Sequence, residues 1–251
     1  MANLLRAFKE SGFVKGLVYT VIGAISFPGL TIINKLQING MEKLKKLPRN
    51  NVLFVSNHQT YFAEVICFLH IFCAVSWRKK NNLGVPYYLL WPYTRIQFVS
   101  AEETMKKSLL SKIFALAGSI MIKRTWVDDS KEVRKGLDPS DTRKIARALE
   151  KNWIITFPQG TTTPYVPGRK GTAFIVKHHR PIVVPVVIDG FNKAFDKRGL
   201  KMIKKGTCLT VTFKDPMLIN YDDPTEKILE DIMDAIEQSK KFKPLPAEPL
   251  S

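Results

Sequence analysis

The chain has 251 residues, enough for one large α/β domain or two small ones with a substantial buried core. Lys plus Arg number 39 against 22 Asp plus Glu, a formal charge of +17. It points to a polyanion, either nucleic acid or an anionic membrane. Cys67, Cys73 and Cys208 lie in apolar stretches without CxxC or Cys/His ligand spacing, which argues against a disulfide framework or a zinc site.

Residues 1–15 are basic and amphipathic, with Leu4, Leu5, Phe8 and Phe13 set among Arg6, Lys9 and Lys15. From Gly16 to Ile33 there are 18 residues without a charge. As a helix this stretch would be about 27 Å long, close to the bilayer hydrocarbon thickness. It is longer than a usual signal-peptide core and has no convincing cleavage site. Pro28, with Gly23 and Gly29 nearby, predicts a kink or break, so a broken, partly inserted anchor is expected. Lys35, Lys43, Lys45 and Lys46 crowd its far end, and cations on both flanks assign no orientation.

Lys43–Asn51 reads as a polar connection, and Val52–Val55 as a buried strand ending in Ser56-Asn57-His58. Val65–Val75 is apolar nearly all round and too short to span a bilayer, which fits a core helix with His70 packed inside it as a neutral side chain. A basic, aromatic loop follows, from Trp77-Arg78-Lys79-Lys80 to Trp91-Pro92-Tyr93. Such a mixture suits a membrane interface and equally a surface that stacks bases. Ser108–Ala117 has helical spacing, Ser119–Ile122 reads as a short strand, and residues 127–144 are charged. Ser140 or Asp141 is placed to cap a helix over Thr142–Glu150. Trp153–Phe157 is the next strand, then a loop rich in Thr, Pro and Gly, and a short helix over Thr172–Lys177. Strands at Pro181–Ile188 and Leu209–Phe213 precede a last helix from Thr225 to about Ser239.

Strands alternating with helices predict an α/β fold with a mixed, largely parallel central sheet flanked by helices, and an N-terminal membrane-associated helical segment. The expected organisation is a membrane-associating segment over 1–36, an α/β domain over 37–240 and a disordered tail over 241–251.

Four strand-end motifs occur in order: Asn57-His58-Gln59-Thr60, Gly118-Ser119-Ile120-Met121-Ile122-Lys123-Arg124, Phe157-Pro158-Gln159-Gly160-Thr161, and the Pro-containing strand Pro181–Val186. Together they resemble the four blocks of the glycerolipid acyltransferase family that includes bacterial 1-acylglycerol-3-phosphate acyltransferases (PlsC-like enzymes). The family pattern is NHxxxxD, GxIFIxR, FPEGTRS and a VPVVI strand, and the resemblance covers roughly residues 40–220.

The resemblance implies that His58 is the general base on an acceptor hydroxyl, which attacks the thioester of acyl-CoA or acyl carrier protein. No metal or other cofactor is implied. An alcohol is a poor nucleophile until its proton is removed, and an imidazole titrating near neutrality suits that step. Arg124 matches the family Arg that is similar to a clamp for the acceptor phosphate. Asn57, Gln59, Thr60, Gln159, Gly160 and Thr161 fall at the family's substrate-binding blocks. The implied partners are anionic membrane lipids and the acyl donor, with no nucleic acid. The implied location is a membrane surface, the cytoplasmic face of the inner membrane if the source is bacterial.

Three departures stand out. The family acid, five residues after the His, is Ala63 here, and the acid Glu64 comes six after. Along a continuous helix that shift is a rotation of about 100°. Either the turn after His58 holds one more residue, or the orienting acid is Glu102 or Glu103. The family Glu of the third block is Gln159, which keeps hydrogen bonding but loses the charge. The basic residue expected after Thr161 is Thr162, a gap that Arg169 and Lys170 are near enough in sequence to fill. These departures leave three expectations: acylation of 1-acylglycerol 3-phosphate, acylation of another lysolipid such as an amino-acid-headed one, and an inactive membrane-binding scaffold.

Overall fold

A computed structural model describes residues 12–101, 119–122 and 139–244. Seven strands form a single sheet: β1 (Lys35–Asn39), β2 (Val52–Ser56), β3 (Ile96–Ala101), β4 (Ser119–Ile122), β5 (Trp153–Thr156), β6 (Ile182–Asp189) and β7 (Cys208–Phe213). Their order is β1-β7-β6-β2-β5-β3-β4, which puts β2 at the centre. Every pairing is parallel except β6 with β7. The β1–β7 pair therefore runs against the other five strands, giving the mixed, largely parallel sheet expected.

The central strands are apolar on both sides because both faces are covered, the usual state of parallel sheets. Val52 and Phe54 of β2 point into one core, while Leu53 and Val55 point into the other. The first core is closed by α2 (Ala63–Ser76) and the short α5 (Phe191–Ala194), and the second by α3 (Pro139–Leu149), α4 (Lys170–His179) and α6 (Thr225–Ala235). Pro185 is accommodated inside β6 because the β7 ladder begins only at Val186, and the Pro185 carbonyl accepts the Lys214 N–H at 2.9 Å.

Several boundaries differ from the sequence reading. Pro28 does not break the N-terminal helix: α1 (Gly12–Pro28) continues as a π-helical turn over Gly29–Ile33. Hydroxyls tie that end down, with Thr31 Oγ1 donating to the Phe27 carbonyl at 2.8 Å and Ser26 Oγ to that of Ile22 at 2.7 Å. β1 begins at Lys35, so the sheet takes up the last two residues assigned above to the N-terminal segment. β1 was hidden because its polar Lys35, Gln37 and Asn39 leave a weak apolar pattern on an edge strand. The start of the expected polar connection belongs to a 3-10 turn over Met41–Lys46. α3 starts at Pro139 rather than Thr142, so Asp141 lies in its first turn, bonded to Lys144. α6 ends at Ala235, and Lys240–Phe242, at the head of the expected tail, form a 3-10 turn. The helix expected over Ser108–Ala117 lies outside the described residues.

Candidate active site

Strands β6, β2 and β5 run side by side in the same direction, so their C-terminal ends form one edge in the middle of the sheet. In open α/β sheets that edge is where ligands bind. His58 stands there, two residues past the end of β2.

The acid beside it is Glu64. His58 Nδ1 lies 2.8 Å from Glu64 Oε1. The turn Asn57–Phe62 holds the extra residue, and α2 begins only at Ala63. Glu64 thus occupies the second helical position and reaches back over the turn. Its Oε1 also accepts the backbone N–H groups of Gln59 at 2.7 Å and Thr60 at 2.8 Å, while Oε2 accepts the Thr60 hydroxyl. The carboxylate has no exposed surface. Burial by itself raises its pKa, but the His58 imidazole and the hydrogen bonds from His58 and Thr60 outweigh that and hold it below the ordinary glutamate range. An ionised Glu64 fixes the proton on Nδ1, which leaves the Nε2 lone pair free to accept one.

The ring of His58 lies against Phe157, with centroids 4.2 Å apart and planes 24° from parallel. This contact brings the third block against the first. Phe157 escaped the sequence reading as a site residue, although its place directly before Pro158-Gln159-Gly160 marks it as the last side chain on the β5 edge.

Asn57, Gln59 and Thr60, expected among the substrate contacts, also build the turn with their side chains. The Asn57 amide donates to the Ile188 carbonyl at 2.9 Å and accepts the Ile188 N–H at 2.8 Å, which stitches the end of β2 to β6. Gln59 donates to Asp189 at 3.1 Å and accepts the Phe191 N–H at 2.9 Å. Thr60 is fully buried against Glu64. The loop over 196–201 closes the far side, since Tyr61 N–H donates to the Lys197 carbonyl at 3.1 Å. A Cβ on Gly199 would fall 2.4 Å from the Ala63 nitrogen and 2.5 Å from Thr60 Oγ1.

Gln159 is also turned inward. Its amide donates to the Val166 carbonyl at 3.1 Å and to Gln238 Oε1 at 3.3 Å. Both partners are acceptors, so an amide fits where a carboxylate would face two oxygens. Gly160 has φ +63°, and a Cβ there would sit 2.9 Å from the Arg169 guanidinium carbon. Glycine therefore serves two ends, the left-handed backbone and the close approach of Arg169. Thr161 Oγ1 accepts the Thr163 N–H at 3.3 Å. Lys170, by contrast, pairs with Glu226 on α6 at the surface. Arg124, Glu102 and Glu103 lie outside the described residues. Strand β4, which leads to Arg124, is three strand positions from β2, about 14 Å. Among the described residues no three His, Cys, Asp or Glu side chains gather as a metal site would need.

A buried carboxylate bonded to an imidazole Nδ1 at a parallel-sheet edge is an arrangement that can accept a proton at Nε2, and it is set in an α/β fold. The chain belongs to the acyltransferase family, whose model matches residues 35–189, from the first residue of β1 to the last of β6. The protein is accordingly an acyltransferase. Among solved structures it is similar to the crystal structure of the 1-acyl-sn-glycerophosphate (LPA) acyltransferase PlsC from Thermotoga maritima. That likeness has a TM-score of 0.50 and 15% sequence identity, covers 87% of this chain and 77% of that one, and shows a shared fold. No curated protein matches the sequence.

Proposed function

We propose that the protein is a membrane-associated O-acyltransferase that moves a fatty acyl group from an acyl thioester to the free hydroxyl of a lysolipid. The acceptor in this reading is 1-acylglycerol 3-phosphate and the product phosphatidate, the chemistry in the name of the PlsC enzyme whose fold it resembles. The observation that carries the reading is the 2.8 Å contact between His58 Nδ1 and the buried Glu64 carboxylate.

His58 Nε2 takes the proton of the acceptor hydroxyl as its oxygen attacks the thioester carbonyl. The new C–O ester bond forms, the C–S bond breaks, and the leaving thiolate takes the proton back from the imidazolium. Glu64 stabilises that cation and keeps the ring oriented, the part a carboxylate plays in a triad. Arg169 over Gly160, and Arg124 by resemblance, supply cationic contacts for the acceptor phosphate. The acyl donor is acyl-CoA or acyl carrier protein. The apolar helices α1 and α2, which pack on each other, are the walls this reading offers an acyl chain. Helix α1 supports attachment to a membrane: Gly16–Ile33 is long and apolar enough to cross one, and only 17% of it is buried. In a bacterium the enzyme would work at the cytoplasmic face of the inner membrane.

With radiolabelled acyl donor and lysophosphatidic acid, His58→Ala should lose roughly 10²–10⁴-fold in turnover, and full activity in that variant would overturn the mechanism. Thr162, where the family carries a base, motivates a second acceptor, a phosphate-free lysolipid with an amino-acid head group. A panel of lysolipids separates the two: preference for the phosphate-free acceptor, insensitive to Arg124→Ala, favours the second.

A further inference from the structure

Residues 193–206 carry six cations and a single acid, Asp196. Asp196 is withdrawn from ion pairing by its own loop: its Oδ1 accepts the N–H groups of Leu200 at 2.9 Å and Lys201 at 3.0 Å. Its backbone N–H donates to the Lys201 carbonyl at 2.9 Å, and Phe195 bridges Met202 in antiparallel fashion. The segment is therefore a hydrogen-bonded hairpin whose backbone carries the charges. Lys193 pairs with Asp189, but among the described residues Lys197, Arg198, Lys201, Lys204 and Lys205 have no carboxylate partner. Between these cations two large aliphatic side chains face solvent, Leu200 at 47% exposure and Ile203 at 58%.

The hairpin touches two other parts of the molecule. At its base, Gly206 N–H donates to the Ile33 carbonyl at 3.0 Å and Thr207 N–H to Asn34 Oδ1 at 3.0 Å, while Met202 packs on Gly29. This is the end of the apolar N-terminal helix, where Ile32 stands 74% exposed. At its tip, Gly199 presses on Thr60 and Ala63, and the Lys197 carbonyl holds the Tyr61 N–H. A continuous set of contacts thus runs from the foot of α1 to the turn that carries His58 and Glu64.

We propose that hairpin 193–206 is a second membrane contact, one that docks on anionic lipid headgroups and sets the bilayer surface against the catalytic turn. The inference rests on the membrane reading above and adds the surface, its partner and its coupling to the site. Unpaired cations match anionic headgroups, and each near such a surface strengthens attachment severalfold. Leu200 and Ile203 enter the headgroup region as the apolar residues of interfacial anchors do. Polyanions in solution, such as nucleic acid or the phosphates of coenzyme A, give exposed aliphatic side chains nothing to enter.

The test is co-sedimentation of the full chain with vesicles of phosphatidylcholine alone and of phosphatidylcholine mixed with phosphatidylglycerol. The variants are Lys204→Gln/Lys205→Gln and Ile203→Ser, with thermal melts to confirm folding and Lys201→Gln as a second charge variant. The charge variants should bind the mixed vesicles less, by about tenfold or more for the pair, and bind neutral vesicles as before. Ile203→Ser should weaken binding to both. Unchanged vesicle binding overturns the proposal. So does a loss that appears instead as a raised KM for acyl-CoA in detergent micelles, or as lost affinity for duplex DNA. Absence of acyl transfer in the unaltered protein would sink the proposed reaction and leave this binding comparison standing.

Discussion

Two helices in this protein share a composition and differ in how far the rest of the chain covers them. Helices α1 and α2 are both apolar, and in each the stretch in question is almost free of charge, yet α2 is buried nearly all round beneath the sheet while α1 leaves Leu17, Val21 and Ile25 exposed. Phe72 of α2 meets Phe54, Trp153 and Phe213 of three different strands, with ring centroids 5.0, 6.0 and 5.9 Å away. Among the described residues α1 packs chiefly on α2 and the segment around Leu89, and Thr20 donates to the Leu89 carbonyl at 2.7 Å. Apolar composition measures how much a segment gains by leaving water. Whether protein or lipid receives it depends on what the rest of the chain has already covered.

The largest effect expected from breaking this contrast lies at the first turn of α2. Glu64→Gln keeps the shape of the side chain and removes the charge that fixes the His58 tautomer, so turnover should fall roughly 10³-fold or more. Moving the acid to the family position, as Ala63→Asp/Glu64→Ala, should not restore it. The side chain would leave the helix rotated by about 100°, on the side where Gly199 presses. A double variant with near-normal rates would show that the extra residue in the turn is dispensable.

Next in size is the core itself. Phe72→Ala should cost about 3–5 kcal/mol in denaturant unfolding. Ile25→Ser, on the exposed face of α1, should change stability by less than about 0.5 kcal/mol and act instead on membrane partitioning. Equal losses at the two positions would mean that α1 belongs to the soluble core.

The seam between the two helices offers a titration of similar scale. Ser26 of α1 donates to Ile22, so it accepts the Nε2–H of His70 at 2.9 Å, and His70 Nδ1 accepts the Tyr88 hydroxyl at 2.9 Å. Burial pushes the His70 pKa down from 6.5 to about 4. Between those values the unfolded chain binds more protons than the native one. The stabilisation is therefore complete above about 6.5 and is lost as pH falls toward 4, by up to about 3 kcal/mol. Thermal midpoints recorded across that window should fall with pH, and more shallowly in His70→Gln. Parallel curves for the two proteins would place the titrating group elsewhere.

Much of the scaffold was legible because its signals are local. The runs Val52–Val55, Trp153–Phe157 and Pro181–Ile188 are too apolar and too β-branched or aromatic to be anything but buried strands. β1 and β3 were not, because a short strand with polar residues looks like a connection until a neighbour pairs with it. At the site the same limit applied. His58 and the third block could be found by pattern, but the inward tasks of Asn57, Gln59 and Gln159 depend on Ile188, Asp189 and Gln238, which lie 79 to 131 residues away.

By itself, then, the amino-acid order determined the class of fold, the histidine and the two carboxylate spacings worth considering, since hydrophobic period and motif spacing act within a few residues. Tertiary structure alone decided that Glu64 turns toward His58, that Phe157 flanks the ring and that α1 stays uncovered while α2 does not. Those outcomes are set by a turn one residue longer, a strand pairing across the sheet and the finite area of the core, and none of the three is a property of any single stretch of chain.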